Sequence, residues 1–180
     1  MIKVCLADNH PVTHFGVKSY FKDHDQISIV ANVGNFSMVR DILQTKEIDI
    51  LILDLELEGL SSIFEIKSIL KNFPKTKIVI FSDLAEQMYA PNAIKAGVSG
   101  YVHKTEKLET LGHSIIKVHE GKIIINETVR KNMALIAKQS KSERLYRKLS
   151  NREIEVLRYL SDGKKNNEIS KILNLNEKTI

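Results

Sequence analysis

Five short apolar runs, rich in Ile and Val and without polar alternation, punctuate the first 125 residues: Ile2–Ala7, Ile27–Val33, Ile48–Leu53, Lys77–Phe81 and Ser99–Val102. Runs rich in Ile and Val without alternation suit strands buried on both faces, the condition of a parallel sheet covered on both sides. Segments with helical spacing lie between the runs: Val12–Phe21, Ser37–Thr45, Ser62–Asn72, Gln87–Ala96 and Lys107–Glu120. In the third of these, Ile63, Ile66 and Leu70 fall at i, i+3 and i+7 on one face. Strand and helix in strict alternation predict an α/β fold with right-handed crossovers, a doubly wound five-stranded parallel sheet. Pro11 and Pro91 suit a first helical turn, and Gly97 and Gly121 suit left-handed helix ends.

The strand signal stops after Asn126, and the charge changes with it. Residues 1–125 hold 14 Lys/Arg against 15 Asp/Glu, a balance of −1, whereas residues 126–180 hold 13 against 7, a balance of +6. Basic charge gathered in one segment points to a polyanionic partner such as nucleic acid. Residues 126–148 read as a basic helical linker, with Val129, Met133 and Ile136 on one face. Ser150 and Glu153 then have the spacing of a capping box and open a small all-α unit over 149–180. Its first helix carries Ile154, Leu157 and Leu160 and ends at Asp162-Gly163. Its second, Asn167–Leu173, is expected to turn Ile169, Ile172 and Leu173 inward. Cys5 lies in an apolar run and reads as a buried small hydrophobe. With one cysteine, no leader pattern and no apolar run near the roughly 20 residues of a membrane span, the expected setting is the cytoplasm, away from the membrane.

In an open parallel sheet, chemistry gathers at the carboxyl ends of the strands. The first strand ends in Asp8-Asn9, the third in Asp54, the fourth in Ser82 with Asp83 next, and the fifth is followed by Lys104. Two carboxylates, a hydroxyl and an ammonium therefore share one rim. Two acids and a backbone carbonyl suit a hard cation such as Mg2+. Such a set lets a carboxylate attack phosphorus while an ammonium and a hydroxyl hold the product. His10, His14 and His103 match no ordinary zinc spacing and read as non-ligands.

The stretches Leu6-Ala7-Asp8-Asn9-His10-Pro11, Ile50-Leu51-Ile52-Leu53-Asp54-Leu55, Phe81-Ser82, Ala96-Gly97-Val98-Ser99-Gly100-Tyr101-Val102 and Lys104 together resemble the receiver domain of two-component response regulators of the NarL type. The resemblance implies a flavodoxin-like receiver over 1–125 with Asp54 as phosphoacceptor. It implies Asp8, Asn9, Asp54 and the carbonyl of Glu56 around Mg2+, Ser82 as the phosphate-sensing hydroxyl, Tyr101 as switch aromatic and Lys104 as the phosphate-pairing cation. It also implies a sensor histidine kinase as phosphoryl donor, and no enzymatic turnover beyond the receiver's own phosphorylation and dephosphorylation. The chain departs from the pattern in three places. Asn9 stands where a second acid is usual, Leu57-Glu58-Gly59 replaces Met-Pro-Gly, and Asp83 follows the switch serine. Asn9 still offers an oxygen but removes a negative charge from the cation site, and Glu56, Glu58 and Asp83 add negative potential near an incoming phosphate, so slow phosphorylation is expected. A phosphorylation-independent regulator that uses the receiver for dimerisation or docking is the alternative.

Leu149–Leu157 and Gly163–Leu173, followed by Asn176-Glu177-Lys178-Thr179-Ile180, resemble the opening of a LuxR-type helix-turn-helix domain. In that family the helix near Asn176 enters the major groove. The resemblance implies a homodimer on DNA, with Lys164, Lys165, Lys178 and Thr179 at the nucleic acid. A third helix that starts and stops at once is read as the edge of a fragment, one expected to bind DNA poorly by itself.

Overall fold

The computed structural model describes residues 1–60, 62–138, 150–176 and 179. It divides into two units, Met1–Leu135 and Ile136–Ile180. In the first, the strands are β1 (Ile2–Ala7), β2 (Ile27–Val33), β3 (Ile50–Leu53), β4 (Lys77–Ser82) and β5 (Gly100–His103). They form one parallel sheet in the order β2-β1-β3-β4-β5. The expected α/β class and sheet are thus observed. The central β3 has all four residues, Ile50, Leu51, Ile52 and Leu53, fully buried, as a strand covered on both faces must be.

The helices are α1 (Pro11–Tyr20), α2 (Phe36–Thr45), α3 (Ile63–Asn72), α4 (Glu86–Ala96) and α5 (Leu108–His119). On one face of the sheet, Val17 and Phe21 join Leu111, Ile115 and Val118 of α5 over Val4, Leu6, Ile50, Ile52 and Val79. Val39, Leu43, Ile66, Ile69, Tyr89, Ala90 and Ala93 supply the buried positions of α2, α3 and α4. Cys5 is fully buried, and burial pushes its thiol up to about 12, which keeps it protonated and unreactive.

Pro11 does occupy the first turn of α1. Pro91 does not: it lies inside α4, which begins at Glu86. The expectation of a first-turn proline is corrected there, and the helix runs on without the amide that would reach back one turn. Gly97 ends α4 in the left-handed region at φ 107°, and Gly121 follows α5 at φ 92°. Beyond α5, Ile124 pairs in parallel with Gly100 at the free edge of β5. Its N–H donates to the Ser99 carbonyl, and its own carbonyl accepts from Tyr101, both at 2.9 Å. Helix α6 (Glu127–Lys138) then starts, with Val129 buried.

The second unit contains α7 (Asn151–Ser161) and α8 (Asn166–Leu173). The capping box is formed: Ser150 N–H donates to Glu153 Oε2 at 2.5 Å and Glu153 N–H to Ser150 Oγ at 3.3 Å. Gly163 turns the chain at φ 78°, and Asn174 ends α8 at φ 49°. The Arg152 guanidinium reaches the Leu173 carbonyl and caps that end of α8. Ile169 and Leu173 are buried, while Leu157, Leu160 and Ile172 are exposed. Among the described residues no helix is long and apolar enough to cross a membrane.

Candidate functional site

Strand register builds the site. Ala7 pairs with Leu53 across β1 and β3, so the next residue on each strand, Asp8 and Asp54, emerges side by side. The sheet order reverses at this strand pair, because β2 and β4 leave to opposite sides, and such a reversal opens a crevice at the strand ends. On the far side, Ser82 ends β4 opposite His103 of β5, and Lys104 follows. The Lys104 N–H donates to the Ser82 carbonyl at 3.0 Å, which anchors its side chain at the rim.

Asp8 and Asp54 are each only 1% exposed. The Lys104 ammonium stands between them, 2.6 Å from Asp54 Oδ2 and 2.8 Å from Asp8 Oδ2. The contact with Asp54 is also a hydrogen bond. That with Asp8 has ion-pair distance but not hydrogen-bond geometry, and Asp8 Oδ2 has no hydrogen-bond donor. Asp8 Oδ1 accepts the backbone N–H of His10 at 2.7 Å, and Asp54 Oδ1 accepts that of Glu56 at 3.2 Å. Burial alone would raise the Asp8 pKa. Lys104 and the His10 N–H outweigh it and hold the carboxyl below its ordinary 3.8. Burial alone would likewise lower Lys104, but its hydrogen bond to Asp54 and the close charge of Asp8 lift it above 10.5.

Ser82 is fully buried, and its Oγ accepts the Leu84 N–H at 3.4 Å; α4 is capped instead at Ala85. Tyr101 is 2% exposed and its hydroxyl donates to the Leu84 carbonyl at 2.8 Å. Burial, reinforced by Glu86 nearby, raises that hydroxyl well above its ordinary value, so it stays protonated and a donor. Ser82 and Tyr101 therefore both engage Leu84, one through its N–H and one through its carbonyl. Asn9, Glu56, Glu58 and Asp83 are exposed around the rim. Lys164 is half-buried, Lys165 and Thr179 are exposed, and Lys178 lies outside the described residues.

Two residues escaped the sequence reading. The His10 ring, set aside there as a non-ligand, has Nδ1 2.8 Å from Asp8 Oδ1 and 3.7 Å from Asp54 Oδ2. Donor atoms of Asp8, His10 and Asp54 all lie within 4.8 Å of one another. The signal was its place two residues after Asp8, ahead of a proline that starts a helix. The second is Glu86, a buried α4 carboxylate that accepts the Asn126 N–H at 2.6 Å. No local pattern marks it, since its partner is 40 residues away. Burial pushes it above its ordinary 4.5.

A buried aspartate pair bridged by a lysine at the strand ends of this sheet defines a receiver site. Comparison with known proteins agrees. Residues 4–116 match the response regulator receiver domain, and residues 147–180 match the LuxR family of bacterial regulatory proteins. The chain belongs to the response regulators, with a receiver domain and a LuxR-type DNA-binding domain that mark it as a regulator of transcription. The Fimbriae Z protein of Salmonella typhimurium is 31% identical over 178 residues, covering 98% of this chain and 84% of that protein. The response regulator UvrY of Escherichia coli is 26% identical over 181 residues, covering 100% and 83%. A solved structure of the Salmonella typhimurium RcsB response regulator, described for its conformational dynamism in DNA interaction, aligns with a TM-score of 0.68 at 25% identity, covering 99% and 87%.

Proposed function

We propose that Asp54 is the phosphoacceptor of this regulator and that a sensor histidine kinase is its donor. The observation that carries this is the Lys104 ammonium held 2.6 Å from a carboxylate that is 1% exposed. The buried Asp54 oxygen attacks phosphorus, the bond from phosphorus to the donor's histidine nitrogen breaks, and the electron pair leaves with the imidazole. The product is an acyl phosphate on Asp54. Asp8, Asp54 and the Glu56 carbonyl, with Asn9 at the rim, are the residues that would hold Mg2+, and the clustered donors of Asp8 and Asp54 fit such an ion. When bound, the ion offsets the charge of the incoming phosphoryl group.

Lys104 then has a phosphate oxygen to pair with in place of a bare carboxylate. Ser82 Oγ, which accepts the Leu84 N–H at 3.4 Å, can turn its own O–H to the phosphate. Release of Leu84 by Ser82 loosens the carbonyl that holds Tyr101. In this reading phosphorylation changes the contacts of Ser82, Leu84 and Tyr101, a population shift that reaches the surface around α4 and β5.

In this reading 1–125 is the receiver, 126–148 the linker and 149–180 the DNA-binding part. The protein works in the cytoplasm as a homodimer on DNA, with Lys164, Lys165, Lys178 and Thr179 at the nucleic acid. Its own phosphorylation and dephosphorylation are its only chemistry. Hydrogen exchange with and without Mg2+ and beryllium fluoride, a phosphoryl mimic, tests the switch. Altered exchange at Leu84–Tyr89 and Tyr101–Lys104 is expected. Unaltered exchange there contradicts it and favours a phosphorylation-independent docking receiver.

A further inference from the structure

We propose that the His10 imidazole is a cation ligand in this pocket, and that the pocket therefore prefers a nitrogen-accepting first-row divalent ion to Mg2+. The inference rests on the reading of Asp8 and Asp54 as cation-binding carboxylates and adds a third donor of different chemistry.

Geometry comes first. The donors of Asp8, His10 and Asp54 fall within 4.8 Å of one another, the spread of ligands around a single ion. Both carboxylates are 1% exposed, and Asp8 Oδ2 has the Lys104 ammonium 2.8 Å away but no contact of full hydrogen-bond geometry. His10 is not core packing, since its side chain is 53% exposed. It is nevertheless held in place, because its N–H is fixed to Asp8 Oδ1 and Pro11 opens α1 directly after it. A backbone pinned on both sides of the residue limits the ordering cost of ligation.

The other histidines described nearby are engaged elsewhere. His14 Nε2 contacts the Asp8 carbonyl. His103 lies 2.9 Å from the Asp83 carbonyl through Nε2 and 2.7 Å from Thr105 Oγ1 through Nδ1. His24 Nδ1 accepts from Gln26 and Ile27. His10 Nδ1 instead lies 2.8 Å from Asp8 Oδ1 and 3.3 Å from the Lys104 ammonium, so His10 is the imidazole that faces the carboxylates.

Ligand chemistry sets the preference. Mg2+ takes oxygen ligands, keeps its waters and gains little from imidazole. Imidazole suits the later first-row ions, whose affinity for mixed N,O sites rises across the series from Mn2+. Asn9 is exposed at the rim and supplies no negative charge, so the pocket has two carboxylates and a nitrogen where three carboxylates would favour the harder ion. When an ion enters, the Lys104 ammonium, now 2.6 and 2.8 Å from the same two oxygens, moves aside.

The test is calorimetric titration of the full chain with MgCl2 and with CoCl2, without phosphoryl donor, alongside the visible d–d absorption of bound Co2+. The protein is expected to bind Co2+ at least about ten-fold more tightly than Mg2+, and His10→Ala to lose at least about ten-fold for Co2+ while shifting Mg2+ by less than about two-fold. His10→Asp, which restores an oxygen ligand, should reverse the preference. Circular dichroism checks that each variant folds. A parent that binds Mg2+ as tightly as Co2+, or a His10→Ala protein with unchanged Co2+ affinity and spectrum, overturns the proposal. Asp8→Ala, titrated in parallel, separates the two levels. If it binds both ions like the parent, the underlying cation reading fails as well; if it loses both while His10→Ala loses neither, only the role of His10 fails.

Discussion

Lys104 Nζ lies 2.6 Å from Asp54 Oδ2, and the same ammonium is 2.8 Å from Asp8. One cation thus serves two carboxylates that are almost wholly shielded from water. Removing it leaves two like charges in a site of low dielectric. Lys104→Met should lower the unfolding free energy by about 3–5 kcal/mol, the usual cost of orphaning a buried charge. A saturating divalent cation should restore much of that loss, since it takes over the same neutralising role. Urea unfolding with and without the cation measures both effects.

Asn9→Asp supplies the acid that this rim lacks. It should strengthen Mg2+ binding and speed Asp54 phosphorylation by acetyl phosphate, because a hard cation gains a charged oxygen ligand. Equal labelling rates for parent and variant would contradict the weakening assigned to Asn9.

Glu86 gives the pH dependence a definite sign. Its folded pKa is raised above 4.5, chiefly by burial, against the Asn126 N–H that favours the anion. His103 also favours the anion and Glu106 opposes it. A raised carboxyl contributes stability that is fully present below 4.5 and is lost as pH rises through the folded value. Glu86→Gln keeps an acceptor for Asn126 and removes the charge, so it should flatten the fall in stability over that window. Glu86→Ala should also speed amide exchange at Asn126. Urea midpoints across mildly acid to neutral pH and exchange mass spectrometry read the two effects separately.

Gly97 holds φ 107° at the end of α4, and a Cβ there would meet Leu70 Cδ1 at 3.0 Å. Gly97→Ala should cost roughly 1–2 kcal/mol from the left-handed backbone, with any further loss coming from Leu70. Thermal unfolding gives the value, and an unchanged midpoint would contradict it.

How much of this was legible in the sequence follows from which forces act locally. The bounds of β1 and β2 coincide with their Ile- and Val-rich runs, although Lys3 is exposed within β1 and β2, at the sheet edge, is only partly buried. β3 begins at Ile50 rather than Ile48: Ile48 is buried, but its carbonyl accepts from Thr76 Oγ1 at 2.8 Å. The meeting of Asp8, Asp54 and Lys104 was readable, since strand ends in a parallel sheet share a rim whatever the loops do. The place of the His10 ring was not, because it depends on the turn between β1 and α1. Nor was the bond from Glu86 to Asn126, which joins a helix start to a segment after α5. Pro91 was misplaced because helix starts are set by capping, and Ala85 provides no side-chain cap to read.

The central claim is that Asp54 accepts a phosphoryl group, and intact mass spectrometry after incubation with Mg2+ and acetyl phosphate tests it most directly. The parent protein should gain the mass of one phosphoryl group, and Asp54→Ala should gain none. A parent that gains nothing, or a variant that gains as much as the parent, would contradict the account.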